Sequence, residues 1–344
     1  MPLTRPAPRI VANGILYIAA CALPWSGAAA AEDRSLFATW DQNPFIQVHH
    51  LPGAQQLPAL GRGQWHAQVG YDLASNASDE TRPSGDRLVL DGESHRTHLE
   101  LSHGLGERLS LTLAVPFVAH TGGFLDGFIQ EWHSLLGLSN RRRKAFDDDE
   151  LAFAFLPAEG PGFAVVERSR GIGDLRLSAD WRLRPATAES RSLSLRGGIK
   201  LPTGDSATLL GSGSTDFSLQ VLSTDEVTLS RWGMTLGWML GGLWLGPGEV
   251  LDDLRRDLVV FGSAGVSRPV SRRLGVRLQF DAHTPFYDSR LRALGSSSVQ
   301  ASIGGSLDLA HGRLDLALTE NLFTDTTPDV GLHLAWRTRL GARR

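Results

Sequence analysis

From residue 64 onward, apolar and polar residues alternate along the chain with a period of two. Trp65, Ala67, Val69, Tyr71 and Leu73 alternate with His66, Gln68, Gly70 and Asp72. The pattern recurs at Leu109–Phe117, Leu175–Leu183, Leu274–Phe280 and Leu332–Trp336. Successive side chains of a strand point to opposite faces, so this period predicts strands with two unlike faces. One face is nearly pure Leu, Val, Ile and Trp; the other mixes Gly, Ser and charges of both signs. A soluble sandwich also alternates, but these strands run about 9–12 residues. That suits the roughly 9–11 needed to cross a bilayer at a tilt better than the usual ~5–6 of soluble strands.

The pattern yields twelve spans: 65–73, 94–103, 108–118, 172–183, 191–201, 215–223, 228–239, 256–267, 273–282, 296–309, 313–322 and 329–340. Their connections alternate. Short turns fall at 104–107, 185–190, 224–227, 268–272 and 310–312; the others, at 74–93, 119–171, 202–214, 240–255, 283–295 and 323–328, are nearly all longer. Tight turns at one end and long loops at the other are the rhythm of bacterial outer-membrane barrels. The expectation is an all-β fold: a closed antiparallel transmembrane β-barrel of about twelve strands. An even count returns both ends of the chain to the periplasmic side. Trp65, Tyr71, Trp181, Trp232, Trp238, Phe280, Phe286 and Trp336 are expected in aromatic girdles at the two interfaces. Asp329–Trp336 fits the terminal-strand signal of such barrels, with Gly331, Leu334 and Trp336 as its assembly residues, although eight residues follow the aromatic.

The N-terminus adds a compartment. Arg5 and Arg9 precede the apolar run 10–23, and small residues 28–31 follow. That order predicts a secretory signal peptide over residues 1–30, cleaved near Ala30 or Ala31. The single cysteine, Cys21, lies inside it and leaves a mature protein with no disulfide or thiolate. Ile18-Ala19-Ala20-Cys21 also fits a lipoprotein cleavage box, so Cys21 as a lipidation site stays open. Beyond this segment no run of 18 apolar residues exists, which excludes a helical membrane protein. With 34 Lys+Arg against 37 Asp+Glu the charge is near balance, and no nucleic-acid partner is implied.

Three domains follow: the signal peptide, a segment 31–63 that is either periplasmic or lumenal, and the barrel over 64–344. The segment is rich in Pro, Gln and Gly and lacks sustained alternation. Within the barrel, 119–171 is predicted as a long extracellular loop. It is expected to carry a short helix at 126–138, a charge-reversal patch (141–144 against 147–150) and a hairpin from 151–155 and 163–166.

Asp41-Gln42-Asn43-Pro44-Phe45, Gly122-Gly123-Phe124-Leu125-Asp126 and Glu131-Trp132-His133 resemble an uncharacterised proteobacterial family of outer-membrane β-barrels, a domain of unknown function, across essentially the whole mature chain. Gly171-Ile172-Gly173-Asp174, Lys200-Leu201-Pro202-Thr203-Gly204-Asp205 and Gly211-Ser212-Gly213 are similar to the barrels of meta-pathway phenol degradation, over roughly residues 170–240. The second resemblance implies passage of small hydrophobic molecules across the outer membrane; the first implies location alone.

Enzyme chemistry is weakly supplied. No His-x-Ser pair exists for a lipid hydrolase, and the histidines lack the i, i+4 spacing of a helical zinc site. His98 and Glu100 share a strand face, which fits a lumenal polar pair better than a metal site. The glycine-rich stretches lack the strand–loop–helix setting of a phosphate loop. No catalytic residue, metal or cofactor is expected. Lumenal Arg176, Arg182, Arg196, Lys200, Arg277 and Arg337 face Asp72, Glu100, Asp180, Asp281, Asp308 and Asp315, which predicts cross-lumen ion pairs and a restricted bore.

The resulting expectation is a monomeric channel or transporter of small, hydrophobic or other, solutes in a Gram-negative outer membrane. Its solute path is placed at Asp174, Arg176, Arg196, Lys200, Arg277 and Asp281, and its partners are membrane lipid, the barrel assembly machinery and a small-molecule solute. The competing reading is a non-transporting structural or interaction barrel acting through its long loop; an outer-membrane enzyme comes third.

Overall fold

The computed structural model describes residues 36–123, 150–185, 191–322, 326–328 and 330–340. Twelve antiparallel strands close a ring: β1 (Trp65–Thr81), β2 (Arg87–Gly104), β3 (Leu109–Thr121), β7 (Leu175–Arg184), β8 (Leu193–Leu201), β9 (Asp216–Asp225), β10 (Thr235–Trp244), β11 (Leu258–Pro269), β12 (Leu274–His283), β13 (Ser298–Leu309), β14 (Gly312–Asn321) and β15 (Val330–Leu340). Each pairs with its neighbour, and β15 returns to β1 in register from Trp65 opposite Leu340 to Ser75 opposite Val330. Closure removes the unpaired edges that an open sheet would present to lipid.

The alternation sorts as the sequence predicts. Leu99, Leu101, Leu111, Leu113, Leu177, Trp181, Leu219, Leu240, Val260, Ile303 and Leu316 are exposed on the outer face. His66, Gln68, Asp72, Arg96, His98, Arg277, Gln279, Asp315, His333 and Arg337 are buried on the inner one. An apolar exterior around a polar interior is the inverse of a soluble barrel and the pattern of a membrane-spanning one.

Three short strands add to the twelve. β4 (Ala152–Leu156) and β5 (Phe163–Val165) form the expected hairpin, with β4 paired to Arg87–Asp91 of β2. β6 (Ser169–Ile172) pairs with Phe117–His120 of β3, while β7 takes over at Leu109–Ala114. β6 and β7 are therefore two parts of one wall strand, interrupted at Gly173–Asp174, where the Gly173 N–H donates to Pro116 O at 2.9 Å. Much of 150–172 is thus paired to the wall rather than free loop. The expected helix at 126–138 and most of the charge-reversal patch lie outside the described residues.

Two boundaries and one girdle residue differ from expectation for local reasons. The stretch 74–93 is no loop: β1 and β2 continue to a turn at 82–86, where Arg82 N–H donates to Asp86 O. Small residues Ala74, Ser75, Asn76 and Ala77, all buried, hide the alternation there. The span expected at 228–239 begins only at Thr235. The Asp225 carboxylate accepts from the N–H groups of Val227 and Thr228 at 2.8 and 2.9 Å and bends the chain into a turn before the 3-10 helix Ser230–Trp232. Phe286 is fully buried between the rings of His49 and His283, so it leaves the girdle. Tyr71 is part-buried on the outward side of β1, its hydroxyl 2.8 Å from His95 Nδ1.

Residues 36–60 run inside the ring. Leu36, Phe37, Trp40, Phe45, Ile46, Val48, Leu51 and Leu60 are all buried, although no strand of their own forms. The segment contains one helical turn, Pro44–Gln47, and its apolar side chains share a cluster with Leu209, Leu243, Val259, Phe261, Phe286, Leu291 and Leu294 near the long-loop end.

A charge placed on the lipid face tests this sidedness. Leu113→Arg, near the middle of β3, is expected to destabilise the barrel by about 2–4 kcal/mol in urea titrations in liposomes. A cost near zero would mean that this face does not meet lipid.

Candidate functional site in the lumen

The interior is a set of polar clusters that join the wall to residues 36–60. The first is built on Asp174, which the interruption of the wall strand aims inward. Its Oδ1 accepts from Gly204 N–H at 2.9 Å, and its Oδ2 accepts from Ser212 N–H at 3.0 Å and from Lys200 Nζ at 2.7 Å. Gly211 has no side chain for a physical reason: a Cβ there would lie 2.3 Å from Asp174 Oδ1. Lys200, fully buried, also contacts Ser212 Oγ and pairs with Asp216 Oδ2 at 3.0 Å. The three glycine-rich motifs, Gly171–Asp174, Lys200–Asp205 and Gly211–Gly213, therefore meet around one carboxylate.

That cluster touches the inner segment. Lys200 Nζ lies 3.5 Å from Val48 O, and His49 Nδ1 lies 3.7 Å from Asp216 Oδ2. His49 Nε2 is 2.9 Å from Tyr287 Oη, whose hydrogen goes to Phe45 O at 2.6 Å. The tyrosine thus accepts from the imidazole and donates to the backbone. Burial pushes the Tyr287 hydroxyl well up, so it stays protonated. Burial also lowers His49, against the pull of Asp216, and lowers His50 well below the usual histidine range.

The helical turn is set by its own sequence. Asn43 caps it, Oδ1 accepting from Phe45 N–H at 3.1 Å, and Pro44 occupies the first turn where no N–H is needed. The Asn43 side chain then donates to Ala293 O at 2.9 Å and Thr326 O at 2.8 Å, fastening two long loops. Asp41 Oδ2 meets His283 Nε2 at 2.9 Å.

A second cluster holds the start of the segment. Asp281 accepts from Ser263 Oγ (2.5 Å), Gln279 Nε2 (2.8 Å) and Thr39 Oγ1 (2.8 Å). Gln279 Oε1 accepts from Phe37 N–H at 2.6 Å. Arg277 pairs with Asp315 at 3.1 Å, donates to Leu36 O at 3.1 Å and lies over the Phe37 ring. Asp315 also pairs with Arg337. A third cluster holds the end: Arg196 pairs with Asp180 at 2.6 Å and donates to Gly53 O and Gln55 O at 3.1 and 2.9 Å.

All six residues expected on a solute path thus face the lumen, but in separate clusters. Asp174 and Lys200 lie in one and Arg277 and Asp281 in another; Arg196 belongs to the third, and among the described residues Arg176 hydrogen-bonds Ser218 Oγ alone, at 3.5 Å. His98 turns to Asp72 (3.4 Å) and Gln68 (3.2 Å). Among the described residues no group of three or more His, Cys, Asp or Glu could hold a metal ion. The sequence reading placed none of Thr39, Asp41, Asn43, Asp216, Gln279, His283 and Tyr287 at the site, although Asp41 and Asn43 belong to the motif that carries the family resemblance. Only Asn43-Pro44 carried a local signal, that of a helix cap. On β15, Gly331 is buried, while Leu334 and Trp336 point outward.

A model of the DUF3187 family, described as a protein of unknown function, matches residues 12–340. The chain belongs to this family. No curated protein matches it. Among solved structures it is similar to the COG4313 outer membrane channel from Pseudomonas putida F1: 15% identity, 82% of this chain and 97% of that one covered, TM-score 0.53. It is also similar to the NanC porin (7% identity, 81% and 100% covered, TM-score 0.45) and to the Pseudomonas putida toluene transporter TodX (10% identity, 94% and 100% covered, TM-score 0.38). At such identity the first of these speaks for the fold alone, a closed transmembrane barrel of the outer-membrane type.

The lowered histidines give the docking of this segment a pH dependence. A released His49 or His50 titrates near 6.5, whereas the docked ring resists protonation. The free state therefore binds more protons below that value, and docking weakens as pH falls through it. Amide exchange across residues 44–50, corrected for intrinsic rates, is expected to speed up between about pH 7.5 and about pH 5. Unchanged protection would mean that both rings are solvated.

Proposed function

We propose that this barrel is a channel for small solutes in the outer membrane of a Gram-negative cell, closed at rest by residues 36–60. One observation carries the reading. At Leu36, Val48, Gly53 and Gln55 the inner segment is bonded to the wall through its own backbone carbonyls, by arginine and lysine side chains. Water can replace such donors one at a time, which leaves the apolar cluster with Leu243, Val259 and Phe261 as the segment's firmest hold on the wall. Strictly structural filling would need no charged lining, because buried ion pairs contribute little net stability over apolar packing.

The COG4313 structure is described as an outer membrane channel, which supports the same class of role. Small hydrophobic molecules are the solute class that the phenol-pathway resemblance implies. Export by a signal peptide over residues 1–30, insertion by the barrel assembly machinery and a monomeric state complete the proposal. No chemical step is assigned, so the protein is read as a non-enzyme.

A second reading has one observation of its own. The β1–β2 hairpin and the β4–β5 hairpin paired to it extend the wall on one side beyond the ends of most other strands, as a surface for another molecule would.

Planar-bilayer recording separates the two. The full-length mature protein is expected to show small, infrequent conductance, and deletion of residues 36–60 is expected to raise it to a steady open level. No conductance from either form, together with no solute uptake into liposomes, sinks the channel. Loss of a cell-surface phenotype on trimming 152–165 alone would favour the interaction barrel.

A further inference from the structure

The two ends of the barrel differ in how their arginines are matched. At the long-loop end Arg82 pairs with Glu80 at 2.9 Å, Arg87 with Asp79 at 2.7 Å and Arg256 with Asp288 at 3.1 Å. Exposed Arg168, Arg170 and Arg290 share that end with exposed Glu159, Glu167 and Asp253. At the short-turn end the balance reverses. Arg62 precedes β1, Arg108 closes the turn before β3, Arg184 ends β7, and Arg268, Arg272 and Arg273 frame the turn between β11 and β12. All of these are exposed, and none has a side-chain hydrogen bond or ion pair among the described residues. The carboxylates of this end are few and mostly taken. Asp225 holds Arg191, Asp308 holds Arg313 and Glu226 is half-buried, so Glu107 is the exposed one among the described residues.

Apolar side chains are interleaved with these arginines. Leu105 and Val270 are 44% and 61% exposed in the same turns, and Trp65 and Leu183 are exposed within three residues of Arg62 and Arg184. In the turn before β10, Arg231 lies over the ring of exposed Trp232, 3.9 Å from its centroid. The charged rim is thus continuous with the lipid-facing wall, at the level where head groups lie. An arginine there keeps its stem on apolar surface while its planar fork meets phosphate oxygens two at a time. A cell-wall polymer or an acidic protein would match the charge but leave Leu105 and Val270 in water.

We propose that this rim binds the phosphate groups of anionic phospholipid in the periplasmic leaflet of the outer membrane and so fixes the depth and tilt of the barrel. Phosphatidylglycerol is the simplest lipid of that class. The inference needs the barrel's place in the membrane and holds whether or not the lumen conducts.

Brominated lipids quench tryptophan on contact, and Trp65 and Trp232 lie at the rim. The full mature protein, folded into phosphatidylcholine vesicles, is titrated with brominated phosphatidylglycerol and, separately, with brominated phosphatidylcholine. Relative binding is expected to favour phosphatidylglycerol about fivefold. At about 1 M salt, where the Debye length is about 3 Å, the preference is expected to fall towards one. It is expected to vanish in the variant carrying Arg62→Gln, Arg108→Gln, Arg184→Gln, Arg268→Gln, Arg272→Gln and Arg273→Gln, and to drop part-way when only the last three are changed. The long-loop variant Arg82→Gln, Arg87→Gln is expected to keep it. Heat-modifiable migration in electrophoresis reports folding for each, and the three-site variant carries the test if the six-site one fails to fold. No preference in the native protein, or the native preference in folded rim variants, overturns the proposal. Retention of the native protein, but not of the rim variants, on isolated cell-wall sacculi without any lipid preference would overturn it in favour of a wall contact.

Discussion

The structure turns on the need to satisfy a polar interior. A barrel in lipid directs its apolar side chains outward, so its inner face carries Arg, Lys, Asp, Gln and His. Twelve strands enclose too little space for a wide aqueous bore, and charges packed in such a space require partners. The wall supplies some, as in Arg277–Asp315 and Arg196–Asp180. The inner segment supplies others, with carbonyl oxygens at Leu36, Gly53 and Gln55 and with the side chains of Thr39 and Asp41. Its own lack of regular structure makes this possible, because a chain without strand or helix keeps its carbonyls free for wall donors. Disordered composition and lumenal position are two sides of one requirement.

The glycine-rich motifs take their meaning from the same requirement. Gly173–Asp174 breaks the wall strand and turns a carboxylate inward; Thr203–Asp205 and Gly211–Gly213 bring backbone N–H groups to it. Lys200 then sits between two carboxylates, Asp174 and Asp216, and also reaches the backbone at Val48. The cluster is architectural in form, since each member is tied to another. Yet it lies against the inner segment near the long loops, where any displacement of that segment would be felt.

Much of the barrel was legible because its signal is local. Period-two alternation needs only neighbouring residues, and Leu109–Phe117 reads as a strand without any knowledge of its partners. The reading failed where another rule governed. Small residues at 74–77 gave no contrast between faces, and the Asp225 cap bent the chain within what looked like a strand. The lumenal contacts were hidden for a different reason. Asp41 and His283, Thr39 and Asp281, and Phe37 and Gln279 are each 242 positions apart, and no local pattern announces such partners. Parity alone placed Arg176, Arg196, Lys200 and Arg277 on the inner face, but it could not say which would be paired and which left over.

That constant separation of 242 residues also orders events during assembly. The inner segment is made before any strand, yet most of its anchors belong to β12, to the loop that follows it and to residues beyond. Contacts of such high order bring their reward only after the chain between them is fixed. β1 cannot pair with β15 until the chain is nearly complete. The seam between first and last strands therefore closes around a guest already attached to the same polypeptide, and the filled barrel is the product of closure rather than of later entry.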